Sequence, residues 1–394
     1  MKFDEIKDEY VAGKIGSKEY AQKMFAEYEK LLQYKNLIKD SCISKITINE
    51  EDVIFTATNR DVKKNPYPID MIIYENDAAA VPATLLSFEK GYEPEELSIV
   101  NILCSYINDN AVFFDVGANL GWYTLNILKQ YPNIKSYAFE PIKETYFKMQ
   151  KNIKINQITN CNLYNFGLWD NNQQTSFFYD IEASGASSIV DIRERNSTVK
   201  VCGEVRRMDD FIVEENINRL DFIKCDVEGA ELFVFKGGIE SIQKYKPIIF
   251  SEMLRKWSQK FNYHPNDIIH LLEETDYHCY ILAENNKLKP LNDKIFTLKL
   301  LTNKLRSIAP DVHKNDLSRN FAERNLKLFF YIIASGGELI SEQNKENYPT
   351  PDIFQTKLRC YAGLQILKLA KVANMSDFIT ASDIIKLINL VEDE

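Results

Sequence analysis

The chain has 394 residues, a length that calls for two or three folding units and not a single core. Hydrophobic residues at 45% and charged residues at 27% are those of an ordinary globular protein, which excludes a disordered, collagenous or fibrous chain. The 48 basic and 57 acidic side chains leave a net charge of −9, an acidic balance that argues against a general nucleic-acid binder.

The opening Met1-Lys2-Phe3-Asp4-Glu5 carries acids early and no apolar stretch after them, which predicts no secretory leader and a cytoplasmic protein. Tyr20, Met24, Tyr28 and Leu31 recur at helical spacing and predict an amphipathic helix to about Ile38, packed against the main body. The runs Ile46-Thr47-Ile48, Val53-Ile54-Phe55-Thr56 and Met71-Ile72-Ile73-Tyr74 read as short antiparallel strands. Residues 1–94 thus form an N-terminal helix and β extension.

Between 95 and 289 short apolar runs alternate with helix-length amphipathic segments, the signature of a parallel sheet flanked by helices. Strands are predicted at 111–116, 135–140, 161–166, 221–227 and 247–252, and helices at 121–131, 142–156, 229–245 and 265–275. The fold class is α/β, a doubly wound, mostly parallel, Rossmann-like sheet. An excursion at 175–205, with Phe177-Phe178-Tyr179 and 199–205 as its strands, reads as an inserted hairpin over the mouth of a site. Residues 290–394 read as a C-terminal helical lobe with helices at 318–334, 352–373 and 380–392, the last opened by Thr380-Ala381-Ser382-Asp383. The lysines and arginine of 287–306 read as a solvated face. The apolar run 328–334 is far short of the ~20 residues of a membrane span. The seven cysteines stand singly without a C-x-x-C pair, so buried free thiols are expected.

The segment Phe113-Phe114-Asp115-Val116-Gly117-Ala118-Asn119-Leu120-Gly121-Trp122-Tyr123-Thr124 is an apolar strand that ends in an acid and passes two glycines into a helix. Glycine at 117 and 121 lets a ligand approach the backbone. The spacing is neither the G-x-G-x-x-G of a dinucleotide loop nor a P-loop, and a carboxylate beside the turn suits a cationic, amine-bearing ligand, such as a sulfonium cofactor with an amino-acid tail. Glu140, at the tip of the second strand in Phe139-Glu140-Pro141, is placed to accept the hydroxyls of a ribose. Asp226, Glu228 and Glu252 follow the fourth and fifth strands, at the sheet edge where ligands bind.

The run Asp115-Val116-Gly117-Ala118-Asn119-Leu120-Gly121, the Phe139-Glu140-Pro141 tripeptide, and Asp226-Val227-Glu228-Gly229-Ala230-Glu231 followed by Lys236-Gly237-Gly238 resemble the FkbM family of methyltransferases, over about 95–285. The resemblance implies a class I S-adenosylmethionine-dependent fold and methyl transfer to hydroxyl oxygens, commonly on sugars of surface glycans or on natural products. It implies Asp115, Gly117, Asn119 and Gly121 around the methionine portion and Glu140 on the ribose; Thr124, Gly167 and Asp226 are further candidates for the cofactor set. Ser184-Gly185-Ala186-Ser187-Ser188 is similar to a small-residue stretch of the family, whereas Asn165-Phe166-Gly167-Leu168-Trp169 departs from its pattern.

Methyl transfer from a sulfonium is an in-line displacement that depends on alignment, with a base to take the acceptor's proton. Asp226 and Glu228 are the first candidates for that base, and His264, in a loop after the fifth strand, is another. Asp226 with Glu252 is alternatively a divalent-cation pair, so the metal question stays open. Trp122, Tyr123, Trp257, Phe261 and Tyr263 are candidate faces for a sugar ring. The expected activity is O-methylation of a saccharide, a bacterial surface glycan or its precursor; the acceptor is a hydroxylated small molecule or glycan, and the chain a homo-oligomer. Two alternatives stand: a NAD-dependent sugar oxidoreductase, and a cofactor-binding but non-catalytic interaction subunit.

Overall fold

Gly13, at φ 70, and Gly16 separate the first two helices, α1 (Lys2–Val11) and α2 (Ser17–Lys39). In this computed structural model the described residues are 2–39, 41–58, 67–74, 77, 81, 91–107, 109–191, 195–253, 255–283, 287–290 and 330–335. The chain divides into one unit made of Met1–Gly167, Thr175–Ser187 and Arg193–Glu204, and a second made of Leu168–Gln174, Ser188–Ile192 and Val205–Glu394.

In the first unit α2 forms where the spacing places it, but Tyr28 and Leu31 are 48% and 54% exposed, so this face does not pack as expected. The antiparallel strands β1 (Ile43–Ile48), β2 (Val53–Thr58) and β3 (Pro68–Ile73) follow. Helix α3 (Pro94–Cys104) leads into β4 (Val112–Val116), which pairs in parallel with β5 (Lys135–Phe139), itself parallel to β6 (Cys161–Tyr164). Helices α4 (Trp122–Gln130) and α5 (Lys143–Ile155) make the crossovers. All five residues of β4 are buried, as a parallel strand covered on both faces requires. The free edge of β3 is closed by helix side chains: Asn152 Oδ1 accepts from Ile72 N at 3.1 Å and Asn156 Oδ1 from Asp70 N at 3.0 Å. That pairing satisfies backbone donors an open edge would leave exposed.

After β7 (Gly167–Trp169) the expected hairpin forms from β8 (Gln173–Asp180) and β9 (Thr198–Arg207), neighbours in one sheet, joined through a 3-10 turn, Ser184–Ala186. In the second unit α6 (Met208–Glu214) precedes β10 (Phe222–Cys225), which is parallel to β11 (Ile248–Met253). Between them the helix predicted over 229–245 is broken at Gly237-Gly238 into α7 (Glu231–Gly237) and α8 (Ile239–Tyr245). Short α9 (Arg255–Ser258) and then α10 (Pro265–Glu273) lead to β12 (His278–Ala283) and β13 (Lys287–Pro290). Strand β14 (Phe330–Ser335) lies antiparallel between β11 and β12. This corrects the helix expected over 318–334: its last residues are strand, while the helices expected at 352–373 and 380–392 lie outside the described residues.

Parallel strands joined by helices in both units make the class α/β, doubly wound, as expected. Cys42, Cys104, Cys225 and Cys279 are buried thiols, whereas Cys202 is exposed. Among the described residues no helix is long and apolar enough to cross a membrane.

Candidate functional site

Asp115 ends β4 with no exposure, and its Oδ2 accepts from Thr124 Oγ1 at 2.6 Å and from Thr124 N at 3.1 Å. That carboxylate ties the strand to the first turn of α4. Between them Gly117 (φ 76), Asn119 (φ 49) and Gly121 (φ 88) take left-handed backbone, turning the chain from strand into helix within five residues. At Gly121 a Cβ would also stand 3.2 Å from Met149, so both conformation and space select glycine. Gly117 N and Ala118 N both donate to Phe139 O, at 3.1 and 3.0 Å, which fastens the turn to the end of β5.

Glu140 follows directly, buried, with Oε2 accepting from Asn119 N at 3.0 Å and Oε1 from Ile142 N at 2.9 Å. Asn165 donates to Glu140 O at 2.9 Å and to Pro141 O at 3.1 Å, fixing this backbone from the end of β6. Asp115, held by Thr124 N, and Glu140, held by Asn119 N, are thus two buried carboxylates, each fixed in orientation by a backbone N–H. The 3-10 turn adds a cover: Ser184 Oγ is 3.5 Å from Asn119 Oδ1, and a Cβ at Gly185 would be 3.1 Å from Asn119 Nδ2. Phe139, Tyr164 and Phe166 cluster with ring centroids 5.5 to 5.7 Å apart beside Gly167, an aromatic wall that the motif comparison did not single out.

The second unit holds the other candidates. Asp226, partly exposed beyond β10, has Oδ2 3.5 Å from the Nζ of buried Lys224. Glu228 takes left-handed backbone at φ 52, and its carbonyl accepts from Ser188 Oγ at 3.3 Å. Gly229, at φ 100, faces Trp257, to which a Cβ would come within 2.8 Å. Glu231 Oε1 accepts from Val227 N and Gly229 N at 3.3 and 3.0 Å, and Oε2 from Tyr263 OH at 3.1 Å. Burial raises its pKa to about 7 despite those backbone donors. Glu231 is the clamp that shapes the loop carrying Asp226 and Glu228.

Glu252 lies on β11, partly buried, in register with Tyr331. His264 is the N-cap of α10: its Nδ1 accepts from Asn266 N at 3.1 Å, and its N donates to Asp267 Oδ2 at 2.7 Å. Of the candidate sugar-stacking rings, Trp122, Tyr123 and Tyr263 are buried, and Phe261 packs with Trp169 and Phe233. Among the described residues no group of three or more His, Cys, Asp or Glu side chains is arranged to hold a metal ion, so Asp226 and Glu252 gain no third ligand there.

Comparison with known proteins divides the chain. Residues 115–279 match the methyltransferase FkbM domain, and residues 269–394 match the sister chromatid cohesion protein PDS5 protein. The chain is 27% identical to Methyltransferase 1 of Beauveria bassiana over 146 residues, 33% of this chain and 59% of that protein. It is 29% identical to methyltransferase sdnD of Sordaria araneosa over 156 residues, 32% of this chain and 60% of that protein. It is 51% identical over 162 residues to the sister chromatid cohesion protein PDS5 of Saccharomyces cerevisiae, 37% of this chain and 13% of that protein. Each of these relatives is therefore matched over less than two thirds of its own length. Among solved structures, precorrin-6y C5,15-methyltransferase from Geobacter metallireducens aligns at 12% identity and TM-score 0.30, over 62% of this chain and 87% of that one.

Proposed function

Because residues 115–279 belong to the methyltransferase FkbM domain family, we propose that the chain is an S-adenosylmethionine-dependent O-methyltransferase whose acceptor is a hydroxyl of a saccharide or of a hydroxylated small molecule. The observation that carries this reading is a pair of buried carboxylates at adjacent strand ends with a glycine turn between them, Asp115 held by Thr124 N and Glu140 by Asn119 N. The carboxylates fit the two polar ends of such a cofactor, Asp115 serving the amino-acid tail and Glu140 the ribose hydroxyls. When bound, that cofactor supplies an electrophilic methyl group on a sulfonium. The relatives that carry methyltransferase names support methyl transfer.

An alcohol oxygen attacks a methyl carbon poorly while it keeps its proton, so a carboxylate in reach accelerates the step by taking that proton as the new bond forms. We assign this task to Asp226 or Glu228. His264 is the weaker choice, because the ring nitrogen Nδ1 is committed to capping α10.

Isothermal titration with S-adenosylmethionine, S-adenosylhomocysteine and NAD tests the reading. The two adenosyl ligands are expected to bind and NAD not to. Asp115→Ala and Glu140→Ala, checked for folding by circular dichroism, are expected to weaken binding at least ~10-fold, the scale of one charge-assisted hydrogen bond. Binding of NAD alone would replace the reading with the oxidoreductase.

A second reading is favoured by the match of residues 269–394 to the sister chromatid cohesion protein PDS5. We propose that residues 269–394 serve as an interaction segment for protein partners on chromosomes, beside the catalytic domain. Cell fractionation of the full chain decides between distributions: sedimentation with chromosomes supports this segment's role, and a purely cytoplasmic protein leaves the enzyme reading to stand alone.

A further inference from the structure

We propose that Asp77, in the segment after β3, is a positioning residue for the cofactor site, tethering the Ser184–Ala186 turn over Asn119. The identity of the ligand rests on the methyl-transfer reading; the tether itself rests on geometry within the first unit.

The Asp77 carboxylate is 1% exposed and bridges two elements. Its Oδ1 accepts from Ser184 N at 3.1 Å, in a buried bond between residues 107 apart in sequence. Its Oδ2 accepts from Lys148 Nζ, on α5, at 3.2 Å. Lys148 is itself buried, 3.4 Å from Glu144 and 5.0 Å from the centroid of the Tyr74 ring. Burying a paired charge gains little stability over an apolar pair, since desolvation offsets the Coulomb attraction. A buried pair that also accepts a loop N–H does something an apolar pair cannot, because it fixes where that loop lies.

What it fixes is the approach to Asn119. Ser184 and Gly185 lie against the Asn119 side chain, closely enough that Gly185 leaves 3.1 Å for any Cβ. Asn119 in turn holds Glu140 through its N–H at 3.0 Å. A continuous line of contacts thus runs from Asp77 through the turn to the carboxylate assigned to the ribose. The other end of the loop is closed by Asp180, which accepts from Ser197 Oγ at 2.8 Å, Glu182 N at 3.1 Å and Arg195 at 3.1 Å. Asp180 therefore anchors the hairpin to itself, and Asp77 anchors it to α5.

The test uses the full chain and two variants. Asp77→Ala removes the acceptor for Ser184 N. The second variant, Asp77→Asn with Lys148→Gln, keeps that acceptor and replaces the ion pair by a neutral amide pair; Asn alone would turn its oxygen toward the ammonium and its NH2 toward Ser184 N, losing the acceptor. Hydrogen exchange of peptides covering 181–188 reads the tether directly, and titration with S-adenosylhomocysteine reads the site. Asp77→Ala is expected to speed exchange in 181–188 and to weaken S-adenosylhomocysteine ~10-fold, and the double variant to restore both to within ~3-fold. Unchanged exchange in Asp77→Ala overturns the tether, and faster exchange with unchanged affinity overturns its role at the site. If Asp77→Ala does not fold, the same comparison is made with Gly185→Val, which displaces the turn from the Asn119 side. A wild-type chain that binds no adenosyl ligand would instead sink the methyl-transfer reading, and exchange alone would then judge the tether.

Discussion

Glu231 is the residue whose environment differs most from what its type suggests. An acid at the first position of a helix suggests a surface charge answering the helix dipole, yet this carboxyl is 2% exposed and clamped by two backbone N–H groups and Tyr263. Burial pushes its pKa from 4.5 to about 7. A folded-state pKa above the unfolded one means that the native state prefers the protonated form. Its stability contribution is intact below about pH 4.5 and lost as the pH rises through about 7. The shift corresponds to roughly 3 kcal/mol, from about 1.4 kcal/mol per pKa unit. Glu231→Gln, isosteric and uncharged, is therefore expected to gain stability relative to wild type between pH 5 and 8, by up to roughly 3 kcal/mol. Urea unfolding of both proteins across that range checks it, and a constant difference would contradict the assignment.

At the scale of elements, the Gly237-Gly238 pair shows what a motif does physically. A Cβ at Gly237 would stand 1.9 Å from Trp169 O, a backbone atom that cannot rotate away, and one at Gly238 would meet Met208 Sδ at 2.6 Å. The end of α7 thus packs directly on the strand β7, which is why the predicted single helix over 229–245 breaks there. Gly237→Ala is expected to cost about 3 kcal/mol, at the upper end for overpacking a core, read as a lower urea midpoint with unchanged slope. The strand ends bearing Asp115 and Glu140 were legible because a strand, a glycine turn and a helix follow one another within a dozen residues. The tether through Asp77 was not, since its partner lies 107 residues away and no local pattern announces such a pair. His264 shows a local signal of another kind: a histidine before proline marks a helix start, and it serves there as the cap.

For the molecule as a whole, the alternation of apolar runs with amphipathic segments was enough to read the α/β class, because strands such as β4 and β10 are buried along their whole length, whereas β6 is half-buried. The C-terminal third was harder. The run Phe330–Ser335 suits a helix face and a buried strand equally, a choice periodicity alone does not make, and the backbone there is strand. The two family likenesses overlap at residues 269–279, on α10 and the start of β12. Beyond them β14, drawn from the segment that matches PDS5, pairs with β11 on one side and β12 on the other. Removing residues 291–394 is thus expected to lower the melting temperature by several degrees as both strands lose a shared neighbour, and an unchanged melting curve would contradict that pairing.

The consequence of β14 is one of dissection. The border between the two likenesses does not run along a linker but through a sheet, where β14 of the one bonds to β11 of the other, so parting them tears a hydrogen-bonded seam and bares the edge of β11.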